Sequence, residues 1–316
     1  MSNPVVLFID SVHPALELAL SHHHFQCVLD ETSSWEVLSQ QYPQTVGIVI
    51  RSRWALNSKI IDAFPHLKWI ARSGSGLENI DCVYAQSKHI QVYSSPEGNA
   101  DAVGEYVLGA TLNMTRHFIS GNASVKNGEW KREEHRGVEL KNKTFAIIGL
   151  GHMGKSVAEK LKSLGCNIIA HDKYLSSSPY KDIPLVDLEE VYRTADFVSL
   201  HLPLSQETLG YANNAFFEAF KKSIYFINTS RGKHCDTSAL LDAIDQQKVI
   251  ASTLDVLEFE STQLNVSNEK HATYQRLLGY SNVTLTPHIA GWTTESYYKL
   301  SQVLAEKILR INLEDH

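Results

Sequence analysis

The amino-acid sequence predicts an α/β protein built from two doubly wound parallel-sheet domains. Three observations predict this fold class. Short apolar runs alternate with helical patterns along the whole chain, which is typical of parallel sheets covered by helices. A strand, a glycine-rich turn and a helix follow one another in the middle of the chain. A long apolar helix, expected at residues 100–119, separates the first alternating series from the second.

The first series occupies residues 1–98, where apolar runs predict strands and helical spacing predicts helices. The predicted strands are Val5–Ile9, Val46–Ile50, Trp69–Ala71 and Gln91–Tyr93, and the predicted helices are His13–Leu20 and Ser58–Phe64. Three consecutive histidines follow the first helix, at residues 22–24. Adjacent side chains of a regular element cannot all face one metal ion, so we expect a solvated helix end and no metal site.

The long helix is predicted at Ala100–Ile119, with Asn99 as its N-cap. It is apolar over much of its circumference, which indicates burial between domains or subunits. A polar connector at residues 126–136 leads from it to the second series.

The second series repeats the alternation of strands and helices. The strands are predicted at 145–148, 168–170, 197–200, 224–228, 252–254 and 283–285, and helices at 188–194, 215–220 and 238–246. A last amphipathic helix, at residues 294–311, is expected to return to the first domain. We therefore expect one domain from residues 1–98 plus 287–316, and a second domain, residues 99–286, inserted into it.

Composition and charge narrow the class of protein. A chain of 316 residues suits two domains. Its apolar content of 43% and charged content of 20% are typical of a globular protein. The net charge of −6 argues against a general nucleic-acid or anionic-membrane partner. Four scattered cysteines without a C-x-x-C pair indicate reduced thiols and a cytoplasmic location.

Residues 144–172 carry the most informative motif. A strand leads into Gly149, Gly151 and Gly154 in G-x-G-x-x-G spacing, and a helix and a second strand ending at Asp172 follow. A dinucleotide-binding unit requires this order, with the pyrophosphate at the helix N-terminus. An acid at the position of Asp172 would accept ribose hydroxyls and favour NAD over NADP. Residues 149–156 also satisfy the P-loop pattern G-x-x-x-x-G-K-[ST], and spacing alone does not separate the two interpretations.

Chemistry-bearing residues follow three late strands. They are Arg231 beside a glycine, the acid-rich stretch 255–260, and His288 in TPHIAG. Each feature alone has an ordinary explanation. The arginine could form a surface ion pair, the acidic stretch could be a solvated loop, and the histidine could be a hydrogen-bonded core or loop residue. Together, on the carboxyl edge of one sheet and after a dinucleotide turn, they favour functional roles over these ordinary ones.

The chain resembles the D-2-hydroxyacid dehydrogenases over almost its whole length. The motifs that carry the resemblance are ARSGSGLENID (71–81), SSPEGNADAVGEY (94–106), GLGHMG (149–154), HLPLSQET (201–208), INTSRG (227–232), LDVLEFE (254–260) and TPHIAGWT (286–293). A P-loop protein would show none of these motifs apart from the glycine turn, so the ordered set favours the dinucleotide-binding interpretation of residues 149–156. The resemblance implies a Rossmann NAD-binding domain inserted into a flavodoxin-like substrate domain.

The resemblance also implies the roles of individual residues. Arg231 would bind the substrate carboxylate, His288 would be the general acid/base, and Glu260, rather than Glu258, would pair with that histidine. The implied cofactor-binding residues are Gly149, Gly151, His152, Met153, Gly154, Asp172, His201, Pro203, Thr208 and Asp255. The implied substrate-binding residues are Arg51, Ser52, Arg72, Ser75, Gly76 and Asn99.

The resemblance indicates the type of reaction more specifically than it indicates the substrate. The likeness is greatest to phosphoglycerate dehydrogenases without a regulatory domain after Leu313. Arg51 and Arg72 would suit the phosphate dianion of 3-phosphoglycerate. Glyoxylate and hydroxypyruvate reductases share the scaffold and stay as alternatives, as does an NADH-sensing, corepressor-like binding protein. The resemblance implies a homodimer. The chain departs from the family pattern at Gly104, where alanine is common, at Ser261, where proline is usual, and in a longer polar segment, 261–281.

Overall fold

The computed structural model describes residues 3–260 and 272–312. The chain divides into two compact units. Unit 1 is Met1–Asn99 with Trp292–His316, and unit 2 is Ala100–Gly291. Ser261 and the first part of the polar segment that follows it lie outside the described residues. Within the described chain, none of the helices is long and apolar enough to cross a membrane.

Parallel strands alternate with helices, as the sequence predicts. The strands are β1 (Val5–Phe8), β2 (Gln26–Leu29), β3 (Thr45–Ile50), β4 (Trp69–Arg72), β5 (Gln91–Ser94), β6 (Thr144–Ile148), β7 (Asn167–His171), β8 (Phe197–Leu200), β9 (Ile224–Asn228), β10 (Val249–Leu254) and β11 (Val283–Leu285). The helices are α1 (Ala15–His22), α2 (Trp35–Gln41), α3 (Ser58–Asp62), α4 (Cys82–Ser87), α5 (Pro96–Arg116), α6 (Phe118–Lys126), α7 (His152–Lys162), α8 (Leu188–Thr194), α9 (Asn214–Ala219), α10 (Thr237–Asp245), α11 (Ala272–Leu278) and α12 (Thr294–Asn312).

The sheet of unit 1 has the strand order β2-β1-β3-β4-β5, and all its pairs are parallel. This is the flavodoxin-like order, so the expected fold of this unit is confirmed. Strand β1 explains why an unbroken apolar run predicts such a sheet: Leu7 packs into one core cluster and Phe8 into another. Both faces are covered, and α12 contributes Leu304 and Ile308 to the second cluster.

The sheet of unit 2 has the order β11-β10-β9-β8-β6-β7, again all parallel. Leu185 forms a single parallel bridge to Ala170 beyond β7. If this bridge counts as a strand, the order becomes the 3-2-1-4-5-6 order of Rossmann domains, with β11 added at the far edge. The sequence order reverses at β6, where the chain continues first to β7 and then to β8. The glycine turn follows β6, so it lies at the switch point where such sheets bind ligands.

Helix α5 departs from the sequence prediction at both ends. It begins at Pro96 rather than after Asn99, so the predicted N-cap role of Asn99 is wrong. Proline suits the first helical turn because its fixed φ is helical and its missing N–H needs no partner there. The helix ends at Arg116, since His117 adopts a left-handed φ of 56° before α6 begins.

The departure at Gly104 has a packing explanation. A Cβ added there would lie 2.4 Å from Ser156 Oγ, which is carried by α7. Helices α5 and α7 therefore approach so closely at this point that alanine does not fit opposite a serine. The serine that makes the sequence resemble a P-loop thus contacts a neighbouring helix.

Candidate active site

The glycine turn forms a tight connection between β6 and α7. Gly149 has a φ of +93°, and a Cβ there would lie 2.5 Å from the His201 carbonyl oxygen. A Cβ on Gly154 would lie 2.1 Å from the Gly149 carbonyl oxygen. By contrast, a Cβ on Gly151 would meet no described atom within 4 Å, so the backbone there faces open space. His152 and Met153 begin α7, whose first N–H groups point toward that space. This cradle fits a dinucleotide pyrophosphate.

Asp172 follows β7 and lies beside the turn. Its Oδ2 accepts a hydrogen bond from the Leu150 N–H at 2.9 Å, and its Oδ1 accepts from the Tyr174 N–H at 3.0 Å. Each carboxylate oxygen has a second lone pair available, so the ribose hydroxyls of a dinucleotide would find an acceptor here.

The loop after β8 carries three further predicted residues. His201 Nε2 lies 2.9 Å from the Ser199 hydroxyl, and burial lowers the pKa of His201 to about 3, so this imidazole is neutral. The Thr208 hydroxyl donates to the Pro203 carbonyl at 2.8 Å and accepts from the Ser205 N–H at 2.9 Å. The hydrogen bond between Thr208 and Pro203 therefore stabilises the conformation of this loop.

Arg231 follows β9 and is held by residues that the sequence did not single out. Asn228 Nδ2 donates to the Arg231 carbonyl at 2.9 Å, and Asn228 Oδ1 accepts from the Ser230 hydroxyl at 2.8 Å. Because that hydroxyl donates to Asn228, its oxygen accepts from His234 Nδ1, 2.8 Å away. His234 is fully buried. These hydrogen bonds connect the residues on either side of Arg231 and so fix the backbone that presents it.

His288 and Glu260 are in direct contact. His288 Nδ1 lies 2.6 Å from Glu260 Oε1, and the glutamate side chain is 12% exposed. Glu258 points elsewhere, toward the Thr237 N–H at 3.4 Å. Since Nδ1 is bound to a carboxylate, Nε2 is the nitrogen left to exchange a proton with a substrate. His288 has a left-handed φ of 56°, which is uncommon for a residue other than glycine.

A buried carboxylate holds the loop that carries His288. Asp255 Oδ1 accepts from the Thr286 hydroxyl at 2.5 Å and the Ile289 N–H at 2.9 Å. Asp255 Oδ2 accepts from the Ala290 N–H at 2.7 Å. Asp255 is 1% exposed, and this burial raises its pKa although the hydrogen bonds oppose the rise. The structure thus directs both oxygens of this predicted cofactor-binding residue into the His288 loop.

Tyr106 of α5 extends the same network. Its hydroxyl lies 2.5 Å from the Thr286 Oγ1, and burial raises the pKa of Tyr106 to about 12. The phenol is therefore protonated and donates to Thr286, which in turn donates to Asp255. Tyr106 and Thr286 lie in motifs 94–106 and 286–293, but the sequence indicated no role for either. A tyrosine in an apolar helix signals core packing rather than a hydrogen bond.

The predicted substrate-binding residues lie at the carboxyl edge of the unit 1 sheet. Arg51 and Ser52 follow β3, and Arg72 ends β4, where its Nε donates to the Arg51 carbonyl at 3.1 Å. Asp10 Oδ2 accepts from the backbone N–H groups of residues 51, 52 and 53 at 2.6, 3.0 and 3.1 Å. Asp10 was not singled out from the sequence, although its position directly after a buried strand was a signal for it.

Ser75 and Gly76 follow Arg72 in the loop after β4, and both are partly buried. The Ser75 hydroxyl donates to Asn99 Oδ1 at 2.7 Å. This bond gives Asn99 a position beside the expected carboxylate-binding loop, although Asn99 does not cap the helix.

Comparison with known proteins places these observations in a family. The family model described as "D-isomer specific 2-hydroxyacid dehydrogenase, NAD binding domain" matches residues 108–290. The chain belongs to this family. Its NAD-binding domain makes NAD the cofactor, in agreement with the glycine cradle and Asp172.

Relatives of this D-2-hydroxyacid dehydrogenase chain carry more than one name. It is 34% identical over 285 residues to a hydroxypyruvate reductase of Thermotoga maritima, covering 90% of each protein. It is also 34% identical over 280 residues to a D-3-phosphoglycerate dehydrogenase of Archaeoglobus fulgidus, covering 88% of this chain and 51% of that protein. The chain thus spans about half the length of that second relative.

Solved structures agree with the fold. D-2-hydroxyisocaproate dehydrogenase superposes with a TM-score of 0.85 over 99% of this chain and 97% of that one, at 22% identity. The expected fold class, with two parallel α/β sheets, is therefore confirmed by this likeness as well as by the strand orders.

Proposed function

We propose that this chain catalyses reversible hydride transfer between NAD and C2 of a D-2-hydroxy acid, with the 2-oxo acid as the oxidised partner. The contact of 2.6 Å between His288 Nδ1 and Glu260 Oε1 carries the proposal. That pair lies on the sheet edge that also bears Arg231 and the glycine turn. We further propose that unit 2 is the NAD-binding domain and that unit 1 is the substrate domain.

The residues divide the work as follows. Bound NADH supplies the hydride. Arg231 stays charged in both directions, so it holds the substrate carboxylate throughout. In reduction, His288 Nε2–H donates its proton to the substrate oxygen as negative charge develops there. Glu260, across the ring at Nδ1, stabilises the imidazolium before the transfer and keeps the ring orientation after it. In oxidation, Nε2 accepts the hydroxyl proton.

We propose that Asp172 makes NAD the preferred cofactor over NADP. A 2′-phosphate at the carboxylate of Asp172 would meet a like charge. The hydrogen bonds from Leu150 and Tyr174 support this role because they fix the carboxylate beside the turn.

We propose 3-phosphoglycerate and 3-phosphohydroxypyruvate as the substrate pair. Two observations support it: Arg51 and Arg72 lie at the ends of two paired strands, and several relatives are D-3-phosphoglycerate dehydrogenases. The relative named hydroxypyruvate reductase supports the alternative substrates, glyoxylate or hydroxypyruvate. Those substrates have no distal anion, so the two arginines would not be used to bind them.

A substrate panel tests the proposed reaction. Purified protein with NADH should oxidise the cofactor when 3-phosphohydroxypyruvate is added, with hydroxypyruvate and glyoxylate as weaker substrates. His288→Ala should reduce kcat by about 100-fold or more, because it removes the proton donor. Absence of turnover with every 2-oxo acid in the panel would refute the proposal.

We propose that the chain forms a homodimer in the cytoplasm. Helix α6 exposes two large apolar residues that are adjacent in the chain, Phe118 and Ile119, each 60% accessible. Large apolar residues exposed near one another mark association surfaces. Phe118→Asp should shift the mass measured by light scattering from dimer to monomer. Four free cysteines support a reducing compartment.

A further inference from the structure

The carboxyl edge of the unit 1 sheet carries an aromatic shelf, defined here as His13, Trp292, Tyr297 and Tyr298. The Trp292 ring lies 5.4 Å from that of Tyr297, at an interplanar angle of 61°. His13 packs edge-on against both tyrosines, with centroid distances of 5.4 and 5.1 Å. Trp292 remains 47% exposed, so much of the indole is accessible.

Arg51 lies on this shelf. Its Cζ atom is 4.4 Å from the centroid of the Trp292 ring, which is the distance of a cation–π contact. The backbone of Arg51 is held at the other end by the Asp10 carboxylate, 2.6 Å from its N–H. An arginine fixed at both its backbone and its guanidinium is preorganised, so it loses little side-chain entropy when it binds an anion.

The neighbouring Arg53 shows what a purely structural arginine looks like here. Its guanidinium donates to three carbonyl oxygens, those of residues 9, 30 and 33, at 3.3, 2.8 and 2.5 Å. Arg51 differs, since in the part of the chain that the structure describes its guanidinium donates one hydrogen bond, to the Ser11 carbonyl at 3.4 Å. A guanidinium has five N–H donors, so most of this fork is available to a ligand.

We propose that Trp292 is a specificity-determining residue, which holds the Arg51 guanidinium in place so that its fork binds a second anionic group on the substrate. This inference rests on the proposed 2-hydroxyacid dehydrogenase function and deepens it. The ligand class is a 2-oxo or 2-hydroxy acid with a distal phosphate or carboxylate, because both present paired oxygens to a guanidinium. Trp292 acts through Arg51 and touches no reacting atom, so it is a positioning residue.

A matched pair of substrates tests the proposal. 3-Phosphohydroxypyruvate and hydroxypyruvate differ only in the phosphate, and steady-state kinetics with NADH gives KM and kcat for each. Trp292→Ala should raise KM for the phosphorylated substrate by about 3- to 10-fold, the range expected for loss of a partly exposed cation–π contact. Its kcat, and both constants for hydroxypyruvate, should stay within about twofold of wild type, since the fork is not used there.

Three further variants separate the aromatic face from other effects. Trp292→Phe keeps a ring under the guanidinium and should retain most of the preference. Arg51→Gln removes the fork and should abolish the preference for the phosphorylated substrate. Lys59→Gln is the control, because it removes the cation from another cation–π pair of unit 1, in which Lys59 Nζ is 5.0 Å from the Trp35 ring. It should leave KM and kcat unchanged for both substrates. Oxaloacetate in place of the phosphorylated substrate shows whether a distal carboxylate gives the same Trp292 dependence.

The outcomes distinguish this inference from the function on which it rests. An equal loss with both substrates, or an unchanged KM for the phosphorylated one in Trp292→Ala, would overturn the role of Trp292. A wild-type enzyme that turns over hydroxypyruvate and does not prefer any substrate with a second anionic group would also overturn the role of Trp292. The dehydrogenase function would then stay intact. If no 2-oxo acid is reduced, the dehydrogenase function is refuted. Calorimetric titration of the protein with inorganic phosphate then tests whether Trp292 contributes to anion binding. Binding that weakens in Trp292→Ala supports the inference, and no binding refutes it.

Discussion

Replacing Asp255 by asparagine tests whether one buried carboxylate holds the His288 loop. The carboxylate accepts three hydrogen bonds, from the Thr286 hydroxyl and from the N–H groups of Ile289 and Ala290. Asparagine keeps the two bonds at Oδ1 through its amide oxygen. Its NH2 group, however, replaces Oδ2 and faces the Ala290 N–H, so two donors oppose each other in a residue that is 1% exposed.

The size of the effect follows from these contacts. Loss of a hydrogen bond to a charged group costs about 1.5–3 kcal/mol. Burial raises the pKa of Asp255, so a neutral side chain recovers part of that loss by removing a buried charge. The free energy of unfolding should therefore fall by about 1–2 kcal/mol, which corresponds to a Tm lowered by about 2–8 °C for a domain of this size. A displaced His288 should reduce kcat by on the order of 10- to 100-fold.

Thermal unfolding followed by fluorescence, and NADH kinetics at saturating 2-oxo acid, measure the two effects. Asp236→Asn is the matched control, because Asp236 accepts the Ala239 N–H at an exposed helix N-terminus, where asparagine caps equally well. If Asp255→Asn keeps its Tm within about 1 °C and its kcat within about twofold of wild type, the carboxylate does not hold the loop and the reasoning is refuted.

Three other predictions concern the charge of single residues. Glu260→Gln should lower kcat by about 10-fold or more because a neutral amide stabilises the imidazolium less, whereas Glu258→Gln should change kcat by less than about twofold. Asp172→Ala should narrow the ratio of kcat/KM for NAD over NADP, and an unchanged ratio would place the selecting acid elsewhere. Burial lowers the pKa of His201 from 6.5 to about 3, so the unfolded chain binds a proton below pH 6.5 that the folded chain excludes. The stability held above that pH is lost as pH falls toward 3, and His201→Asn should reduce the loss between pH 7 and pH 5 by about 1–2 kcal/mol in urea unfolding.

The strands that the sequence predicted are all present, and the failures have local causes. β2 was missed because it is an edge strand whose Gln26 and Leu29 are exposed, so it lacks the buried apolar run that marks the central strands. The start of α5 was misplaced because Asn99 is a good N-cap by composition, whereas Pro96 begins the helix. The first error reflects exposure at a sheet edge, and the second reflects two local start signals, Pro96 and Asn99, close together in the chain.

The site divides along the same line. The glycine spacing, Asp172 and the three strand ends with Arg231, Glu260 and His288 were readable from the chain, because parallel strands bring their carboxyl ends to one edge. The supports of those residues were not readable. Ser230 and His234 brace Arg231, and Asp10 braces Arg51, through hydrogen bonds whose partners no spacing rule identifies.

The sequence by itself determined the fold class, the position of the dinucleotide turn and the residue types that carry the chemistry. These depend on period, spacing and order, which are properties of the chain. Only the tertiary structure decided that Asp255 holds the His288 loop and that Trp292 lies under Arg51. Each of these depends on which side chains converge from distant segments. Such convergence is set by packing in three dimensions, where a displacement of about 1 Å makes or breaks a hydrogen bond.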